Sequence, residues 1–147
     1  MMKKSDDLYR ATAHIREACL CLHAQRAARA LARHFDEALR PCGLTSGQFS
    51  LLVVLNRPDP VGMGPVANFL AMDRSTLTAN LKPLERDGLV AVAIDPQDRR
   101  GRKLSLTPQG RKTLRAAMSI WKGEHEALEK EIGADADMLR AGLRAIA

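Results

Sequence analysis

The chain has 147 residues, 46% of them hydrophobic, 27% charged and only 3% aromatic, and a formal net charge of +6. That length suits one domain or two fused lobes, with a core built from Leu, Ala, Val and Met. The basic surplus fits a polyanionic partner, although a merely soluble basic domain carries it as well. No run approaches the roughly 20 apolar residues of a membrane span. Met1 to Asp7 has no apolar stretch behind its lysines, which argues against a secretory signal. Three cysteines, an odd count, argue for a reducing cytoplasm over a disulfide framework.

Residues 1–7 read as a frayed, charged start. A helical pattern begins weakly at Leu8 and firms after Cys19-Leu20-Cys21-Leu22. There Ala28, Leu31, Phe35 and Leu39 recur at steps of three and four. Pro41 and Gly43 end it. Thr45 and Gln48 form a T-x-x-Q capping box, with Leu44 and Phe49 placed as a hydrophobic staple. Phe49, Leu52, Val53 and Leu55 then drive a short helix that stops before Pro58 and Pro60.

Val61-Gly62-Met63 reads as a short strand. Pro65 sits in the first turn of a helix formed by Val66, Ala67, Phe69 and Leu70. Ala71-Met72 must turn the chain. If Ala71 is left-handed, it costs about 1 kcal/mol relative to Gly. In the next helix Leu77, Leu81 and Leu84 make one apolar stripe. Asp73 is placed to cap it and Gly88 to stop it. Its opposite side carries Ser75, Ala79, Lys82 and Arg86, with Thr76 and Thr78 flanking. Short hydrogen-bonding side chains near the N-terminal end and cations beyond suit a helix in a DNA major groove. Pro83 lies inside this helix, removes the bond to the Ala79 carbonyl and should bend the axis.

Leu89 to Ile94 is an apolar run of strand length. Arg102 to Leu106 alternates, with Leu104 and Leu106 on one face. Between them lies a charged tip, Asp95 to Gly101. Arg99, Arg100, Arg102 and Lys103 crowd four cations into five residues, which suits a minor groove beside the helix. Alternatively, arginines pairing with Asp95 and Asp98 would hold the loop without any DNA role.

Thr107 caps a further helix, with Pro108 at its first position. Leu114, Met118, Trp121, His125, Leu128 and Ile132 follow at heptad spacing, a seam that suits another helix. His125 on this seam reads as a packed histidine. Gly133 closes the helix. Asp135 or Asp137 caps the last one, where Leu139, Leu143 and Ile146 share a face.

Cys19 and His23 are i, i+4 neighbours, a spacing open to a metal or a tuned thiolate. Cys21 points elsewhere, so the three do not converge, and small apolar packing is the favoured reading. Cys42 beside Pro41 reads as loop packing. No G-x-S-x-G, phosphate loop or H-E-x-x-H supports catalysis, and no cofactor is expected.

Asp73-Arg74-Ser75-Thr76-Leu77-Thr78, Asp98-Arg99-Arg100 and Leu106-Thr107-Pro108-Gln109-Gly110 together resemble the MarR family of winged-helix regulators, in order and spacing over roughly residues 44–115. The family usually has Gly where this chain has Ala71. The resemblance implies a mainly α fold of about six helices with a small antiparallel β-wing. It implies a DNA lobe over 44–107 and an association lobe from 1–43 and 108–147. Arg74, Thr76, Thr78, Ala79 and Asn80 would meet bases or phosphates, Arg100 would reach the minor groove, and Asp98 would brace the wing. With the seam, the family implies a homodimer on a pseudo-palindromic double-stranded site. The implied role is transcriptional repression relieved by a small phenolic or anionic effector between the lobes. Two other readings stay open. One is a thiol switch at Cys19, as in peroxide-sensing branches of the family, whose supporting tyrosines are reduced here to Tyr9. The other is a winged-helix protein-interaction module that binds no DNA.

Overall fold

The computed structural model describes residues 4–147. Two compact units divide the chain, Met1–His34 and Phe35–Ala147. The first contains α1 (Lys4–Ala18) and α2 (Leu20–Leu39) as far as His34. The charged start expected over 1–7 falls partly outside the described residues; from Lys4 onward the backbone is helical. Only Cys19 separates the two helices, so two helices stand where one helical pattern, weak from Leu8 and firmer after Leu22, was expected.

The second unit starts on the final turn of α2 and a 3-10 turn, Arg40–Cys42, closed by Gly43 at φ 68°. It continues with α3 (Ser46–Leu55), β1 (Val61–Gly62), α4 (Met63–Phe69), α5 (Arg74–Arg86), β2 (Val90–Ile94), β3 (Arg102–Leu106), α6 (Pro108–Ile132) and α7 (Ala136–Ile146). The α3 capping box is present on both sides, Thr45 with the Gln48 amide and the Gln48 side chain with the Thr45 amide. Asp36 adds a bond that sequence spacing gave no sign of: its Oδ1 accepts the Ser46 N–H at 2.6 Å.

The three strands form an antiparallel sheet in the order β1-β3-β2. Val61 faces Leu104, and Val90 pairs with Leu106, which turns Leu104 and Leu106 inward. With Leu39, Leu51, Leu52, Leu55, Val66, Leu77, Leu81 and Leu84 they build the core. Leu dominates because a chain with so few aromatics must fill its interior with branched aliphatics.

Burial departs from the expected faces at several positions. Val53 is 49% exposed and Phe69 72% exposed, while Leu51 and Val54 are buried instead. Leu114, expected on the outer seam, is only 4% exposed and packs in this core with Ala117. A heptad pattern marks a stripe without saying which part of it the chain's own core takes. Among the described residues no single helix is long and apolar enough to cross a membrane.

Candidate nucleic-acid interface

The turn between α4 and α5 rests on one strained residue. Ala71 has φ 51°, the one non-glycine residue with positive φ among the described residues. The Met72 N–H then reaches back to the Ala67 carbonyl at 3.0 Å. Asp73 caps α5, its carboxylate accepting the Thr76 N–H at 2.7 Å and the Ser75 hydroxyl at 2.8 Å. Those donors, the Thr76 amide first, hold the Asp73 carboxyl below its ordinary pKa.

Leu77, Leu81 and Leu84 are buried, so the other face of α5 is left to solvent. Arg74, Ser75, Thr76, Thr78, Ala79, Asn80, Lys82 and Arg86 are all exposed on it. Their hydrogen-bonding state is more restricted than composition alone suggests. The Thr78 hydroxyl donates to the Arg74 carbonyl at 2.8 Å, and Ser75 donates to Asp73. Both oxygens therefore keep only acceptor capacity for a further partner. Arg86 pairs with Asp87 at 3.2 Å. Pro83 is accommodated inside α5, and its carbonyl still accepts the Asp87 N–H at 2.9 Å.

The loop from Asp95 to Gly101 is braced by its own acids. Asp98 Oδ1 accepts the Arg100 N–H at 3.0 Å, Asp95 Oδ1 accepts the Gln97 N–H at 2.9 Å, and the Gly101 N–H donates to the Asp98 carbonyl at 2.8 Å. The alternative, arginines pairing with Asp95 and Asp98, is not found among the described residues; Lys103 is the cation on Asp95, at 3.8 Å. Arg102 folds back, its Nη1 donating to the Arg99 and Gly101 carbonyls. Arg99 and Arg100 are exposed, with no ion pair among the described residues. A groove of about 560 Å³ separates wing and helix, lined among others by Arg74, Thr78, Asp98, Arg100 and Arg102. Gly64 borders it, where a Cβ would sit 3.4 Å from an Arg74 Nη.

The wing is anchored to α6 through the Leu106-to-Gly110 motif. Thr107 caps α6 by accepting the Gly110 N–H at 2.9 Å, and its hydroxyl donates to the Gly88 carbonyl at 2.6 Å. Its backbone N–H goes to the Leu89 carbonyl at 3.1 Å.

A second cavity, about 460 Å³, lies between α3, α4 and α6. Phe49, Val53, Phe69, Met118 and Trp121 wall it, and Ser50 and Asn56 are its polar lining residues. Trp121 stacks between Phe49 and His125, with ring centroids 6.4 and 4.6 Å away. Beyond it, His125 Nδ1 stands 3.8 Å from Glu129, which Arg140 of α7 also contacts together with Asp137. Asp137 thus serves an ion pair, and Asp135 at the helix start makes no side-chain cap bond. Of the remaining seam, Met118, Trp121, Ile132, Leu139 and Leu143 are exposed, and Leu128 and His125 are half-buried.

Cys19 is half-buried at the break between α1 and α2, where its Sγ accepts the Leu22 N–H at 3.4 Å. The sulfur takes the place of a helix-capping oxygen. His23 turns its Nε2 to the Glu17 carbonyl at 2.9 Å instead of to Cys19. No metal-binding cluster of His, Cys, Asp or Glu occurs among the described residues.

Residues 44–101 match the MarR family model. The transcriptional activatory protein BadR of Rhodopseudomonas palustris is 40% identical over 72 residues; the match covers 47% of this chain and 41% of that protein, less than half its length. The transcriptional regulator MosR of M. tuberculosis, solved in complex with DNA, superposes with a TM-score of 0.80 at 36% identity, over 87% of this chain and 92% of that one. The repressor CouR, solved on a 23-mer DNA duplex, superposes with a TM-score of 0.78 at 31% identity, over 90% and 94%.

Proposed function

The chain belongs to the MarR family, and we propose that it is a sequence-specific double-stranded DNA-binding transcriptional regulator, a homodimeric repressor released by a small ligand. One observation carries this reading: Arg74 and Thr78 of α5 and Arg100 and Arg102 of the wing border the same groove. MosR and CouR, similar over nearly their whole length, were solved on DNA.

In this reading the first turns of α5 read bases. Ser75, Thr76, Thr78, Ala79 and Asn80 are short, so the helix backbone comes close to the base edges. Thr78 and Ser75 already spend their protons within the chain and act as acceptors, suited to the amino groups of cytosine or adenine. Arg74, Lys82 and Arg86 meet phosphates. Arg99 and Arg100 supply charge to the backbone or minor groove, while Asp98, Arg102 and Lys103 keep the wing in shape. Residues 44–107 serve as the DNA lobe; 1–43 and 108–147 serve association through Met118, Trp121, His125, Leu128, Ile132, Leu139 and Leu143. The effector site is the cavity at Trp121. Its uncharged lining favours a neutral phenolic compound over an anion, which would lose its hydration without a counter-charge. The work is binding, not catalysis, and its place is the cytoplasm.

Selection of bound duplexes from random DNA tests the reading. It should return a pseudo-palindrome with half-sites about one helical turn apart. On that site Thr78→Val should cost about 1–3 kcal/mol and relax one or two positions per half-site. Lys82→Ala should weaken all sequences alike. The reverse pattern would reject the division of labour.

A second reading rests on the Cys19 Sγ contact with the Leu22 amide. Oxidation there would remove the α2 cap and uncouple DNA binding. Peroxide should then abolish binding by wild type and spare Cys19→Ser; an equal response of both would exclude it.

A further inference from the structure

A charged face outside the DNA-binding unit is not used by this function. From Ala18 to Phe35 the sequence contains Arg26, Arg29 and Arg33 and no acidic residue. At about 100° and 1.5 Å per residue, these arginines fall within an arc of roughly 60° and span about 10 Å of α2. All three are exposed, and none is in an ion pair among the described residues; Arg29 makes one bond, to Gln25 Oε1 at 3.4 Å. The acids further along α2 are engaged elsewhere, Asp36 with the Ser46 amide and Glu37 with Arg40. Between the arginines and His23 lies a hollow of about 510 Å³ floored by Ala27 and Ala30. The His23 ring is held at its rim by the Glu17 carbonyl.

Like charges at i, i+3 and i, i+4 repel, so this face costs free energy unless an anion neutralises it. Guanidinium groups present rigid forks of N–H donors that match phosphate oxygens in pairs. A single carboxylate would occupy one fork. Two linked phosphoryl groups would engage all three, and the methyl floor leaves room for them against the helix. We propose that the Arg26–Arg29–Arg33 face of α2 is a binding site for a diphosphate group, free or esterified to a small organic molecule.

The full-length protein should be titrated calorimetrically with inorganic pyrophosphate and, separately, with ADP. Saturable binding of one diphosphate per chain is expected. Affinity should fall at least tenfold in R29Q/R33Q and change less than twofold in R99Q/R100Q, whose substitutions lie on the wing. Circular dichroism and melting temperature check that both variants keep the fold. Equal affinities for the two probes would identify the free diphosphate as sufficient; tighter ADP binding that is also lost in R29Q/R33Q would identify an organic ester. Absence of saturation, an unchanged affinity in R29Q/R33Q, or a loss confined to the wing variant would overturn the proposal. Weakened DNA binding by R29Q/R33Q without any effect on pyrophosphate would assign the face to DNA and overturn it equally. Because the wing variant serves as the control, failure here is distinguishable from failure of the DNA-binding reading.

Discussion

The backbone of Gly110 passes so close to the Leu89 carbonyl that a Cβ on Gly110 would lie 2.0 Å from that oxygen. The same carbonyl accepts the Thr107 N–H at 3.1 Å, so the start of α6 is clasped onto the strand leading into the wing. The neighbour is backbone and cannot swing away. Gly110→Ala should therefore destabilise the winged unit by roughly 2–3 kcal/mol, measured by denaturant unfolding. A variant as stable as wild type would show that α6 can slide away from the wing without cost.

Ala71 offers the opposite change. At φ 51° an alanine bears a strain that glycine does not. The residue is exposed, so Ala71→Gly loses little packing. The greater freedom of Gly in the unfolded chain offsets part of the relief. A net stabilisation of about 0.5–1 kcal/mol is expected from thermal melting. A lower melting temperature would mean that the unfolded-chain entropy outweighs the strain.

Two carboxylates link stability to pH. Asp36 is held below its ordinary pKa by the Ser46 amide, and Asp73 by the Thr76 amide. A carboxyl with a lowered folded pKa contributes stability that is present above its unfolded value, near 3.8, and is lost as pH falls through the folded value. Melting temperature should thus drop below about pH 4. Asparagine can still cap a helix but carries no titrating group. In Asp36→Asn/Asp73→Asn the drop between pH 5 and 3 should be shallower than in wild type. Parallel curves would show that other groups set the acid limb.

Association is best tested away from the core. Leu114 is buried within the chain's own core, so its replacement would confuse folding with pairing. Leu143 is 48% exposed on α7 and free of that ambiguity. Wild type should sediment as a dimer at micromolar concentration, and Leu143→Glu should raise the dimer dissociation constant at least tenfold while preserving helicity. An unaltered dimer would place the interface elsewhere.

How far these features could be read in advance depended on how local they are. The α5 stripe of Leu77, Leu81 and Leu84, the Asp73 cap, the Thr45–Gln48 box and the pairing of β2 with β3 follow from spacing within a few residues, and each is found. A turn at Ala71-Met72 was legible too, because one helix had to end before α5 could start; that Ala71 itself is left-handed was only a condition raised by the glycine usual there in the resembling family. What spacing did not reveal is long-range. Asp36 reaches ten residues ahead to Ser46, and Leu89 closes on Gly110 across the whole wing. Leu114 and Trp121 lie on one heptad stripe, yet one is in the core and the other walls a cavity. In the wing, charge predicted the tip but not the partners, since Lys103 rather than an arginine takes Asp95.

DNA recognition by α5 and the wing is tested most directly by the salt dependence of affinity on the selected duplex, measured for wild type and Arg100→Ala. Displacing counterions from six or more phosphates should weaken wild-type binding on the order of a thousandfold between about 50 and 200 mM salt. Arg100→Ala should lower affinity for every sequence and flatten the slope of log affinity against log salt by about one unit. Affinity that is insensitive to salt in wild type, or a slope untouched by Arg100→Ala, would contradict the account and leave the winged helix as a surface for protein partners.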